Sequence, residues 1–195
     1  LWEVESGNEQ GELKGHAASV RGLAFSPDGK TIATASYDKT AILWNVEERK
    51  EAKKLEGHSD AVWAVAFSPD GKLLATAGAD RSIRLWDVAE GKEQAKADDA
   101  HGGWITSLSI SADGRQLASG GFDHKVKLWD ASTLAPNSAI DGLKSTVWAV
   151  AFSPDGKVLA AGSQSDSLRL WQPVTAWQPL FAPPPKVEET AEAAK

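Results

Sequence analysis

The chain has 195 residues, with 21 Lys and Arg against 27 Asp and Glu, a net charge of −6, no cysteine and no methionine. That length supports a sizeable core, and the acidic balance argues against a phosphate-backbone partner and so against nucleic acid. No apolar run long enough for a membrane span and no signal-peptide pattern is present; without cysteine there is neither a disulfide nor a thiolate metal site, and the compartment stays open.

In chain order, residues 1–14 read as a strand at 1–5, a polar loop and a short outer strand near 12–14. Residues 15–56 carry Gly15-His16, the turn Ser26-Pro27-Asp28-Gly29, Tyr37-Asp38 and Trp44, then a charged outer strand of the kind that resists edge-to-edge pairing. Residues 57–99 give the clearest copy. Val62, Val65 and Phe67 mark a first strand whose broken alternation predicts a bulge. Ser68-Pro69-Asp70-Gly71 is a turn in which Pro presets φ, Asp bonds its own backbone and Gly accepts positive φ. Residues 73–77 are small and nearly all apolar, as a strand buried on both faces requires. A second turn at 79–82 leads to a third strand over 83–88. Residues 100–141 repeat the plan with Ser111-Ala112-Asp113-Gly114, Phe122-Asp123 and Trp129. Residues 142–182 repeat it with Ser153-Pro154-Asp155-Gly156 and an outer strand around 177–181, weakened because Pro173 and Pro179 remove ladder donors. From Pro183 onward, Pro, Glu and Ala predict a linker and a disordered or marginally helical tail over 183–195.

The repeat is metrical. Trp recurs at 2, 44, 86, 129 and 171, and the turn Asp at 28, 70, 113 and 155, so both landmarks step by 42 or 43 residues. That is the period of one four-stranded propeller blade. Gly15-His16 and Gly57-His58, each followed 28 residues later by Trp44-Asn45 and Trp86-Asp87, resemble the Gly-His and Trp-Asp signature of the WD-repeat β-propeller family. The resemblance covers about residues 1–175 and implies an all-β propeller segment of four blades (about 15–56, 57–99, 100–141 and 142–182), with residues 1–14 ending an upstream blade. Propellers of that family typically have seven blades and close by sharing one between the chain ends. The remaining blades are therefore expected upstream in the same polypeptide or in a second chain. The opening Leu1-Trp2-Glu3-Val4, in mid-repeat register and without Met, leads to the expectation that this sequence is a piece of a longer chain.

His16, Asp38 and Trp44 recur as His58, Asp80 and Trp86 and as His101, Asp123 and Trp129, with His 28 and Asp six residues before Trp. A His/Asp pair near hydroxyls suggests acid–base catalysis. Threefold repetition suggests structure instead, because an enzyme needs one site and a blade needs one lock per blade. The resemblance implies a relay of Trp indole, strand hydroxyl, His and Asp, with Thr34, Thr76 and Ser119 as the hydroxyls. In the fourth repeat the His, hydroxyl and Asp positions hold Leu143, Ala161 and Ser165, so the set is lost together. No nucleophile elbow, phosphate loop or metal helix is present, and no cofactor or metal is expected.

The resemblance also implies that partners dock on the rim where loops from one end of the blades meet. Its positions here include Arg21, Tyr37, Trp63, Trp104, Phe122 and Trp148, an excess of aromatics with one Arg, the residue types of binding hot spots. The alternative is that Trp63 and Trp148 pack into the central channel or between blades. The expected function is a non-enzymatic scaffold for a protein or peptide partner. The alternative is a propeller that binds a small ligand such as a glycan, or one that supports a catalytic domain outside these residues.

Overall fold

The computed structural model describes residues 1–165, 168–172 and, for the backbone, 173 and 177–179. Residues 180–195, which include Leu180, Phe181 and the whole expected linker and tail, lie outside the described residues. Among the described residues, sixteen strands form four antiparallel sheets of four, each following chain order. Blade 1 comprises β1 (Val20–Phe25), β2 (Thr31–Ser36), β3 (Ala41–Asn45) and β4 (Lys50–Leu55). Blade 2 comprises β5 (Val62–Phe67), β6 (Leu73–Gly78), β7 (Ile83–Asp87) and β8 (Glu93–Ala97). Blade 3 comprises β9 (Ile105–Ile110), β10 (Gln116–Gly121), β11 (Val126–Asp130) and β12 (Pro136–Ile140). Blade 4 comprises β13 (Val147–Phe152), β14 (Leu159–Ser163), β15 (Arg169–Pro173) and β16 (Trp177–Pro179). Pro173 and Pro179 stand at the last positions of their strands and Pro136 at the first of its own, where a missing N–H is tolerated.

Each first hairpin is held by the same side-chain turn. In blade 2, Ser68 Oγ donates to Asp70 Oδ1 at 2.6 Å and accepts from Leu73 N at 2.9 Å, while Lys72 N donates to Asp70 at 3.0 Å. Gly71 sits at φ 71°, the left-handed conformation that this turn requires and that a Cβ disfavours. Each first strand is bulged. The register slips between Val20 and Gly22, between Val62 and Ala64, and between Val147 and Ala149, leaving Arg21, Trp63 and Trp148 outside the ladder; Thr106 is skipped in the same way. A bulge re-aims the extra side chain: Arg21, Trp63 and Trp148 enter ring contacts, and Thr106 bonds the backbone of Gly120 and Val147.

The blades stack through apolar faces. Ala33, Ala35, Leu43 and Leu55 of blade 1 pack on Val62, Val65, Leu74 and Trp86 of blade 2. Ala75, Ala77 and Leu85 pack in turn on Ile105, Leu108, Leu117 and Trp129, and Ala118, Val126 and Leu128 on Val147, Val150, Leu159 and Trp171. The alanines of the second strands allow this close approach, which explains the small, apolar runs that the sequence repeats.

The N-terminal segment departs from expectation. The sequence predicts two strands at residues 1–5 and 12–14, but the structure has one bridge, Trp2 with Glu9, closed by a turn with Gly7 at φ 68°. One bridged pair with no further neighbour on either side does not propagate a ladder. Leu1 and Leu13 nevertheless pack on Ile32, Ile42 and Trp44.

Candidate functional site

Two constellations were singled out from the sequence, and they occupy different parts of each blade. The first lies inside it. In blade 2, Trp86 Nε1 donates to Thr76 Oγ1 at 2.8 Å, His58 Nε2 lies 2.7 Å from the same hydroxyl, and His58 Nδ1 lies 2.8 Å from Asp80. Blade 1 repeats this through Trp44, Thr34, His16 and Asp38 at 2.7, 2.7 and 2.8 Å. Blade 3 repeats it through Trp129, Ser119, His101 and Asp123 at 2.8, 2.7 and 2.8 Å. An ionised carboxylate only accepts, so Nδ1 donates to Asp; Nε2 is then left to accept from the hydroxyl, whose oxygen accepts from the indole. Every member is satisfied in one direction.

Burial pushes the relay carboxyls up, but hydrogen bonds outweigh it. Asp38 is held well below the usual range by Thr40, His16 and the backbone of Ala17, and Asp80 by His58 and Ser82. Asp123 is likewise raised by burial yet brought down to about 2 by His101 and the backbone of Gly102 and Lys125. The backbone contacts matter, because each Asp thereby ties the loop that enters its blade to the turn between the second and third strands. Such buried groups are spent on one another and leave no free base for chemistry. In blade 4, Leu143 and Ala161 are buried apolar residues, and Ser165 N donates instead to Ser145 Oγ at 2.9 Å.

The second constellation lies on the rim. Backbone bonds clamp the two loops of each blade together: Tyr37 N to Ser19 O at 3.0 Å, Ala79 N to Ala61 O at 2.8 Å, Phe122 N to Trp104 O at 2.9 Å and Gln164 N to Thr146 O at 3.1 Å. These clamps and the bulges bring five rings into one connected series. Tyr37 meets Trp63 at 6.0 Å between centroids, Trp63 meets Trp104 at 5.1 Å and Phe122 at 5.9 Å, and Phe122 meets Trp104 at 5.1 Å and Trp148 at 5.3 Å. The pairs are tilted or edge-to-face, the favoured aromatic geometries. Arg21 stands over Trp63 at 5.7 Å.

The two strand tryptophans divide. Trp63 is 8% exposed and forms the floor of the series; its indole N–H finds no acceptor among the described residues. Trp148 is 40% exposed, as are Trp104 at 44% and Tyr37 at 47%, while Phe122 is half-buried.

Hydroxyls on β9 form a further set of contacts. Ser107 and Ser109 on β9 accept from Val150 N at 3.1 Å and Phe152 N at 3.0 Å, and Thr106 donates to Gly120 O at 2.9 Å and to Val147 O, joining blade 3 to blade 4. For Ser107 and Ser109 the signal is in the sequence, since the other repeats place Gly or Ala at these two positions, whereas Thr106 stands where they carry Arg21, Trp63 and Trp148. Among the described residues, no group of His, Cys, Asp and Glu could hold a metal ion, and no helix is long and apolar enough to cross a membrane.

Four bulged, four-stranded blades stacked through alanine-lined faces, three of them carrying the same indole-to-carboxylate relay, define a WD-repeat β-propeller. Proteins of this class are generally protein-interaction scaffolds and typically non-enzymatic. The chain belongs to the IFT122 first beta-propeller family, whose profile matches residues 1–175. It is also similar to Coronin-7 of Rattus norvegicus, at 45% identity over 38 residues, a segment that is 20% of this chain and 4% of that protein.

Proposed function

We propose that this chain is a non-enzymatic scaffold that holds a protein or peptide partner on the rim formed by Arg21, Tyr37, Trp63, Trp104, Phe122 and Trp148. The observation that carries this reading is the connected aromatic series with three exposed rings, Tyr37 and Trp104 on clamped loops and Trp148 at the bulge of β13. Rigid aromatics give large contact area at little entropic cost, and Arg adds a directional donor. A broad aromatic face suits a polypeptide better than a glycan, which needs converging polar groups. The same reading leaves the remaining blades to another stretch of polypeptide, in the same chain or a second one.

Trp104→Ala with Trp148→Ala tests it, because both rings are exposed and their removal spares the buried Trp63. Affinity capture from the source cell, quantified by mass spectrometry, is expected to lose a partner held by the unaltered chain, with the melting temperature unchanged. Equal recovery of every partner by the folded double variant would refute the rim as the docking face.

A further inference from the structure

A fold built by repetition asks for the same residue type at the same point of every copy, so departures from the repeat mark places where the chain serves something else. Two departures stand side by side on the first strands. The bulge position holds Trp63 and Trp148 in blades 2 and 4 and Thr106 in blade 3, but a cation, Arg21, in blade 1. The next position holds Gly22, Ala64 and Ala149 in blades 1, 2 and 4, but a hydroxyl, Ser107, in blade 3.

The structure brings both to one cavity of about 210 Å³, walled by first-strand residues of all four blades, among them Arg21, Trp63, Ser107 and Trp148. Gly22 permits the arrangement on blade 1. A Cβ there would stand 2.6 Å from Trp63 O, so glycine lets β1 come close enough to lay Arg21 over the Trp63 ring.

The side chains of this wall offer one kind of partner. Arg21 is exposed, stands 5.7 Å from the Trp63 centroid and has no ion pair among the described residues. Ser107 Oγ accepts from Val150 N at 3.1 Å, which leaves its O–H to donate, and that hydrogen finds no acceptor among the described residues. The Trp63 indole N–H is buried without an acceptor, a costly state that calls for a reason. Thr106, the other hydroxyl, is already spent on Gly120 O and Val147 O. No Asp or Glu lines the cavity. In a chain of net charge −6, a cation and two donors gathered without a carboxylate are an unmatched set.

We infer that this cavity takes the carboxylate of an Asp or Glu side chain from the partner polypeptide, with Arg21 as its counter-ion and Ser107 and the Trp63 indole as neutral donors. The inference rests on the rim reading and deepens it: apolar residues flanking that carboxylate lie on Trp104 and Trp148. Related ligands fit less well. A phosphoryl group carries close to two charges and is met by clusters of Arg, whereas this wall holds one. A sugar hydroxyl needs acceptors as well as donors, and these side chains supply donors. A Lys or Arg side chain would meet Arg21.

The probes are dye-labelled peptides Gly-Ser-Leu-Xaa-Leu-Ser-Gly in which Xaa is Glu, Gln, Lys or phosphoserine, titrated against the full 195-residue chain by fluorescence polarisation. Saturable binding of the Glu peptide is expected, with the Gln and Lys peptides at least about tenfold weaker, because the bond to a charged acceptor is the stronger one. Arg21→Gln is expected to bring the Glu peptide down to the level of the Gln peptide and to leave the Gln peptide where it was. Arg21 is exposed, so the melting temperature does not move. Equal binding of the Glu and Gln peptides, no binding of either, or Glu-peptide binding untouched by Arg21→Gln overturns the inference. A phosphoserine peptide bound at least about tenfold tighter than the Glu peptide overturns it in favour of a phosphorylated partner. The two readings fail apart. Recovery of every partner by the Trp104→Ala, Trp148→Ala chain refutes the rim, whereas peptide binding that needs those two rings but ignores charge refutes the carboxylate site alone.

Discussion

Removing one hydroxyl from one relay isolates the value of the network. Thr76 is fully buried, and its Oγ1 is shared between Trp86 Nε1 and His58 Nε2, themselves 3% and 6% exposed. Thr76→Val keeps the volume and the strand preference but strands both ring nitrogens in an apolar interior. Each unsatisfied buried group costs about 1–3 kcal/mol, so a loss of about 3 kcal/mol is expected. In a chain of this size that corresponds to a fall of roughly 6–12 °C in melting temperature. Urea unfolding followed by far-UV circular dichroism, with calorimetry, measures it. The companion is the triple variant His58→Leu, Thr76→Ala, Asp80→Ser, which gives blade 2 the residues blade 4 carries at 143, 161 and 165. Because the network is removed as a set, the triple variant is expected to cost at least about 2 kcal/mol less than the sum of its single substitutions. A Thr76→Val loss below about 0.5 kcal/mol, or an additive triple, would refute the claim that the relay acts as a unit.

Two further outcomes follow from the same structure. The relay carboxyls titrate below their ordinary 3.8 in the folded chain, Asp123 at about 2. Their contribution is therefore complete above the unfolded value and is lost as pH falls through the folded one. Asp123 alone is expected to account for about 2 kcal/mol lost between roughly pH 4 and pH 2, and Asp123→Asn to flatten that part of the curve; an unchanged acid profile would contradict it. Ser107→Ala with Ser109→Ala removes the hydroxyl acceptors of Val150 N and Phe152 N. It is expected to cost about 1 kcal/mol per bond and to speed hydrogen exchange at those two amides, with no change at Val65 or Phe67.

Much of this molecule was legible in the chain because its signals are local or periodic. The Ser-Pro-Asp-Gly turns carry their own hydrogen bonds within five residues, so Asp70 and Ser68 specify a hairpin wherever they occur. A spacing repeated four times fixes the blade, and the joint loss of His, hydroxyl and Asp in the fourth repeat marks them as one network. The rim was legible as a set of positions. Its division into a buried floor at Trp63 and exposed rings at Trp104 and Trp148 was not, because Trp63 and Trp148 occupy the same register and differ only in what surrounds them.

Sequence by itself determined the strands from β1 onward, the turns, the repeat and the relay, all of which depend on residues within one period of the chain, though not the N-terminal segment, where one bridge replaces the two expected strands. Tertiary structure alone decided which of the repeated faces are covered. Val20 and Val62 are the same residue at the same point of the same motif, yet one is half exposed and the other sealed. Burial is a property of the neighbouring sheet, and no residue carries its neighbour in its own identity.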